Sequence, residues 1–169
     1  MHEEPNRRLV LMRHAEAAQV APSDAERPLT EVGRAAARDA GAWLAEQGVV
    51  PDAVLVSSAL RARETWAEAS AGAGFAEDLG RVEHAVYQAE PDALLDLVRL
   101  LEDEVRTALV VGHNPTVQVL ALTLDDGSTD VLLGGDFPAG ALAVLEVPGD
   151  WTDLGGGGAR AVSFHVGRG

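Results

Sequence analysis

Leu9-Val10-Leu11-Met12-Arg13-His14 decides the fold: an apolar run of strand length, Leu9 to Met12, delivers a guanidinium and an imidazole side by side where a buried strand should stop. A second histidine has the same setting, because Leu109, Val110 and Val111 run into Gly112-His113-Asn114-Pro115. Between them lies a third strand-to-loop junction, Ala53-Val54-Leu55-Val56-Ser57, followed by Ser58-Ala59-Leu60-Arg61. In an open α/β sheet, ligands bind outside the carboxyl ends of the strands. Three such ends carrying Arg13, His14, Arg61 and His113 should converge on one pocket, and two imidazoles with two guanidiniums around one point describe a phosphate site.

Working outward from these junctions, strand and helix signals alternate. Thr30 is a natural N-cap for a helix running to about Gln47, with Val32, Ala36, Ala40, Trp43 and Leu44 at helical spacing and Gly48 as its stop. A second helix is expected over about 59 to 71, ending in the small residues Ala71-Gly72-Ala73-Gly74. A third starts near Pro91, a favoured first-turn residue, and carries Leu94, Leu95, Leu97, Val98 and Leu101. It feeds the strand Ala108 to Val111, and Thr116 to Leu124 reads as a short helix. In the last third, Ala141 to Val147 and Ala161 to Val166 are strand-like runs joined by a turn and a glycine-rich loop, which suggests antiparallel pairing at a sheet edge. The expected fold class is α/β, a three-layer α/β/α arrangement whose mostly parallel sheet has an antiparallel C-terminal edge.

Length and composition limit what such a fold can serve. With 169 residues, 47% of them hydrophobic, the chain is expected to form a single domain over 1–169, with 1–6 as a flexible tail. Thirteen basic residues against 27 acidic give a formal net charge of -14, which repels nucleic acid and anionic lipid, so neither is expected as a partner. There is no cysteine, so disulfides, a thiolate nucleophile and a cysteine-type zinc site are excluded together. The start of the chain lacks the form of a signal peptide, and no run approaches the roughly 18 apolar residues of a membrane span. A soluble cytoplasmic protein is expected.

The chemistry follows from the residue types. Phosphoryl transfer to nitrogen needs a neutral imidazole aimed at phosphorus and fixed positive charge on the equatorial oxygens as the leaving group departs. Arginine suits the second task, because its planar fork stays charged at any working pH and donates to two oxygens at once. His14 as nucleophile, Arg13 and Arg61 as clamps and His113 as a further donor make a site that needs no metal or other cofactor. Attack would form a phosphohistidine that water then hydrolyses.

Five blocks carry a family resemblance: Leu11 to Ala15, Arg27-Pro28-Leu29-Thr30 with Gly33-Arg34, Ser57 through Thr65, Val111 to Pro115, and Phe137 to Ala141. In this order they resemble the histidine phosphatase superfamily, whose fold is phosphoglycerate mutase-like, and within it the SixA-like phosphohistidine phosphatases. The resemblance implies a histidine phosphatase domain with a covalent histidine mechanism, its roles falling on His14, Arg13, Arg61 and His113. It also implies a phosphorylated partner: a protein bearing phosphohistidine, or a small phosphorylated molecule. Two departures matter. Residue 15 is Ala where the superfamily signature has Gly. The segment in which larger members carry a general acid reads Val82 to Glu90 and aligns no acid securely. An imidazole leaving group needs such an acid far less than an alkoxide does, so its lack favours a phosphoramidate substrate.

Plainer readings stand beside these. Taken singly, His14 or His113 would read as a structural histidine at a strand end, and their shared context with two arginines reverses that. Arg27 is either a pocket-rim residue or the partner of a nearby carboxylate. Glu16 is a loop carboxylate or a group that tunes the site, and Glu90 is a further candidate acid. His165 in an alternating strand and His2 near the terminus read as structural or free, and His84 sits in a short strand-like stretch without a recognisable partner. Trp43 occupies a helical core position. Two functions of different class remain: a phosphatase, acting on phosphohistidine or on a small phosphomonoester, and a non-catalytic phosphate-binding module. The intact set of four favours the enzyme, since a binder needs no nucleophile. A metal-dependent hydrolase is poorly supported, because no histidine pair has ligand spacing.

Overall fold

The computed structural model describes residues 5–169; His2 and the first four residues of the expected tail lie outside the described residues, while Pro5 and Asn6 are exposed. β1 (Arg7–Arg13) is central, and its alternation serves two cores at once. Leu9 and Leu11 point into one apolar cluster and Val10 and Met12 into another, all fully buried. That two-sided burial explains why the strand is a continuous apolar run.

The sheet order is β3-β2-β4-β1-β5-β6. β2 (Ala53–Ser57), β3 (Gly80–Glu83) and β4 (Thr107–Gly112) run parallel to β1, whereas β5 (Ala141–Val147) and β6 (Arg160–Val166) form the antiparallel edge. The face carrying Val10 and Met12 is covered by α1 (Glu31–Glu46) and α2 (Leu60–Ala73) through Ala40, Leu44, Ala62 and Trp66. Following α3 (His84–Tyr87), α4 (Pro91–Arg99) and α5 (Thr116–Leu124) cover the other face through Leu94, Val98, Val117, Leu120 and Leu124. This is the α/β/α arrangement expected of the sequence.

Local chemistry sets the start of α1 and the end of α2. Thr30 caps α1, its hydroxyl accepting from the Gly33 amide at 3.0 Å. α2 runs two residues further than expected and ends at Gly74, whose φ of 77° is left-handed. The extension follows from packing, because α1 and α2 meet backbone to backbone: a Cβ on Gly41 would stand 1.9 Å from the Ala69 carbonyl oxygen, and one on Gly72 2.2 Å from that of Arg38.

Three expectations need correction. Val32 and Trp43 share the helical stripe only at its margin, since the buried arc of α1 is Gly33, Ala36, Ala37, Ala40, Gly41 and Leu44. Val32 is therefore exposed, and Trp43 is half-buried, its ring stacked on His165 at 4.7 Å. His84 is not in a strand: β3 stops at Glu83, and His84 opens the single turn α3, which buries Val86. It also has a partner, with Nδ1 2.8 Å from the Ser58 hydroxyl.

Gly41→Ala tests the helix contact. On an exposed helix this change stabilises by about 1 kcal/mol, but overpacking against the Ala69 carbonyl should destabilise by about 1–3 kcal/mol. Urea denaturation measures the difference, and a more stable variant would contradict the close approach.

Candidate active site

The parallel register brings the strand ends level, with Arg13 opposite Gly112 and Val56 opposite Val111. The next residue along each of the two central strands is a histidine, and the His14 amide still donates to the Gly112 carbonyl at 3.0 Å. Arg61 stands in the first turn of α2, two residues after Ala59 has left the end of β2. A cavity of about 440 Å³ at this sheet edge is lined by Arg13, His14, Glu16, Arg27, Arg61, Tyr87, His113 and Asn114, among others. Another cavity, of about 340 Å³, touches Asn6 at the opposite end of β1, and its Glu146 and Arg160 are already paired.

His14 is held in one tautomer. Its side chain is buried, and Nδ1 lies 2.7 Å from the Ala15 carbonyl oxygen. A carbonyl only accepts, so Nδ1 carries the hydrogen and Nε2 keeps its lone pair. Burial is the main cause that brings the imidazole down to about 3, against the opposing pull of the Ala15 carbonyl. The charges of His113, Arg61 and Arg13 push the same way as burial. The group is thus a neutral base at ordinary pH.

Thr65 ties this histidine to the helix beyond β2. Its hydroxyl donates to the Arg61 carbonyl at 2.7 Å and accepts from the Ala15 amide at 3.0 Å. The methyl of Ala15 is buried with Ala17, Leu29 and Ala37, so the side chain that replaces glycine has an apolar pocket of its own.

His113 sits across from His14, with ring centroids 5.2 Å apart. Nε2 is 2.7 Å from the Ser57 hydroxyl, and Nδ1 is 3.5 Å from Arg61 Nη2, at the limit of a hydrogen bond. A guanidinium only donates, so Nδ1 presents a lone pair to it and Nε2 donates to Ser57. Burial, followed by Arg61, lowers this imidazole to about 4, with Asp24 opposing.

Both arginines keep donors in reserve. Arg13 Nη1 donates to the Phe137 carbonyl at 3.0 Å, while Arg61 donates to Asp24 through Nη1 to the main-chain oxygen, 2.7 Å, and Nη2 to Oδ2, 3.1 Å. Among the described residues, the Nε atoms of both are buried without a hydrogen-bond partner. These atoms are shut off from the cavity, as is Nε of Arg7 at the far end of β1, so an anion would meet the terminal guanidinium nitrogens instead. The arrangement can hold a tetrahedral anion against a neutral imidazole.

The remaining candidates divide. Arg27 meets both of its readings: it lines the cavity, and its Nε donates to Asp24 Oδ1 at 3.1 Å. Glu16 is an exposed residue of the cavity wall. Glu90 is the exposed N-cap residue of α4 and does not line the cavity, because the chain has already turned into that helix. No group of three or more histidine, aspartate or glutamate side chains among the described residues could hold a metal ion.

Sequence reasoning passed over Ser57 as a partner of His113, and Asp24 and Tyr87 altogether. The Tyr87 hydroxyl donates to Asp24 Oδ2 and, with Arg61, holds that carboxylate down at about 2. The one cue was the i, i+3 spacing of Asp24 and Arg27; nothing in the sequence announces Tyr87.

The pattern of the histidine phosphatase superfamily (branch 1) matches residues 9–83. An uncharacterized protein of Mycobacterium tuberculosis is 39% identical over 93% of this chain and 100% of its own length. Phosphohistidine phosphatase SixA of Escherichia coli is 35% identical over 70% of this chain and 74% of its own. Among solved structures, a candidate phosphohistidine phosphatase SixA from Nakamurella multipartitia superposes with a TM-score of 0.83 at 34% identity, covering 97% of this chain and 99% of that one.

The buried imidazoles make a pH prediction. A histidine whose folded value lies below its unfolded 6.5 binds fewer protons folded than unfolded, so its contribution to stability is present above pH 6.5 and is lost as pH falls toward about 3 for His14. The loss approaches about 1.4 kcal/mol per pH unit. NMR titration should find both rings neutral at pH 5, and His14→Gln should flatten the decline of stability below pH 6.5. A His14 midpoint near 6.5 would contradict the account.

Proposed function

Since this chain belongs to the histidine phosphatase superfamily, we propose that it is a metal-independent phosphatase acting through a phosphohistidine at His14, and that its substrate is phosphohistidine borne by a protein. The observation that carries the reading is the buried, neutral His14, with Nδ1 tied to the Ala15 carbonyl and Nε2 left free in a cavity that Arg13 and Arg61 also line.

In the proposed sequence, Nε2 attacks phosphorus, the bond to the leaving group breaks and its electron pair leaves with that group. The guanidiniums of Arg13 and Arg61 bind equatorial oxygens, where they stabilise charge that water would otherwise have to solvate. Ser57 serves as a two-way partner for His113. A hydroxyl can donate or accept, so once Arg61 Nη2 turns from Nδ1 to the phosphoryl group, rotation of the hydroxyl lets Nε2 accept and Nδ1 carry a hydrogen for a phosphoryl oxygen without adding charge. Water attacks the phosphohistidine in the second step and returns His14.

The choice of phosphoramidate over phosphomonoester rests on proton supply. An alkoxide must be protonated as it leaves, and the carboxylate held beside Arg61, Asp24, is ionised at any ordinary pH. The second reading, a small-molecule phosphomonoesterase, is favoured by the position of Glu16 on the cavity wall, where it could serve as an acid.

His14→Ala should abolish turnover while the fold survives; full activity would refute the covalent route. The wild-type kcat/KM for a phosphohistidine peptide should exceed that for an alkyl phosphate by about two to four orders of magnitude, the span that general acid catalysis usually supplies, and chelators should change neither. A Glu16→Gln variant that loses alkyl phosphatase activity a hundredfold and keeps aryl activity would support the second reading instead.

A further inference from the structure

We propose that Asp24 is the residue by which this site selects a phosphorylated imidazole: its carboxylate, bonded to three residues of the cavity wall, accepts a hydrogen bond from the second ring N–H of the substrate's leaving group. The inference rests on the phosphatase reading above and names the residue that sets its substrate class.

Asp24 opens a short 3-10 turn, Asp24–Glu26, in the loop between β1 and α1, and its contacts tie it to residues of the site. Its main-chain oxygen accepts from Arg61 Nη1 at 2.7 Å and Oδ2 from Arg61 Nη2 at 3.1 Å. Oδ2 also accepts from the Tyr87 hydroxyl, and Oδ1 from Arg27 Nε at 3.1 Å. All three partners line the cavity that contains His14 and His113. A carboxylate offers about four lone-pair sites, and the protein fills three. The vacant site is on Oδ1, and the side chain is 56% exposed, so an acceptor with a fixed negative charge stands open to solvent next to three residues of the cavity wall.

A phosphorylated imidazole can meet that acceptor, and a phosphate ester cannot. With its second nitrogen protonated, the substrate ring is cationic. When the P–N bond breaks, its electron pair passes to the leaving nitrogen, the phosphoryl group bonds to His14 Nε2, and the product is a neutral imidazole that already holds its proton. No proton donor is needed. The carboxylate accepts from this protonated ring, whereas an ester's leaving group has neither a hydrogen nor a positive charge to offer it. One side chain thus favours one leaving group over the other.

The test compares kcat/KM on a phosphohistidine peptide and on p-nitrophenyl phosphate for wild type, Asp24→Asn and Asp24→Glu, with Asp24→Ser as a second charge-free variant should the amide fold poorly. The charge-free variants should lower the ratio of the two values at least tenfold, through loss on phosphohistidine while aryl turnover holds or rises, and Asp24→Glu should recover most of it. A parallel fall on both substrates would mean that Asp24 only orients Arg61 and would overturn the proposal. So would the same loss of ratio in Glu16→Gln with none in the Asp24 variants. Wild type that cleaves the aryl ester and leaves phosphohistidine untouched would end the phosphohistidine reading itself, and this inference with it.

Discussion

The pairing of β1 with β4 is the constraint on which the site depends. Register along this pair places Arg13 against Gly112, so the residues that follow, His14 and His113, emerge side by side at the same edge. A slip of one residue would turn Leu9 and Leu11 toward α1 and α2, carry His14 off its partner and bring Arg8 or Arg13 into a fully buried position, which the cost of burying an unpaired charge forbids. The core therefore fixes the chemistry: the side chains that bury the sheet also set the distance between the two imidazoles. Thr65 and the Gly112 carbonyl then lock the peptide that carries His14 to α2 and to β4.

Positive charge at this edge is a local exception. The chain as a whole carries -14, yet Arg13, Arg27 and Arg61 all face one cavity. Long-range attraction does not bring an anion to such a protein, so affinity must come from short contacts with the guanidiniums of the cavity wall. Burial serves the same end by different means on the two residue types. It keeps His14 and His113 neutral, and it raises the worth of each hydrogen bond that a guanidinium makes to an oxyanion.

Most of the frame was legible because its signals are local. Leu9 to Met12 and Ala108 to Val111 are too short and too apolar for anything but buried strands, and Thr30 with Gly48 marks the ends of α1. The strand-end rule then located the cavity. What escaped was set by tertiary contacts between residues far apart in sequence. Asp24 reaches Arg61 across 37 positions because the bridge between Ala17 and Leu29 folds its loop back, and no pattern in the chain encodes that return. Tyr87 and His84 belong to a single helical turn, below the length at which periodicity carries information. Glu90 was placed among possible acids on chain position alone, and the start of α4 takes it out of the cavity wall.

The account stands on one bond, between phosphorus and Nε2 of His14. Rapid quenching of the enzyme with a phosphoryl donor, followed by peptide mapping, tests for it directly. The account predicts one phosphoryl group on the peptide containing His14, attached at Nε2 rather than Nδ1, stable in alkali and lost in acid. A phosphoryl group on another residue, or stoichiometric turnover with no labelled peptide at any quench time, would contradict it.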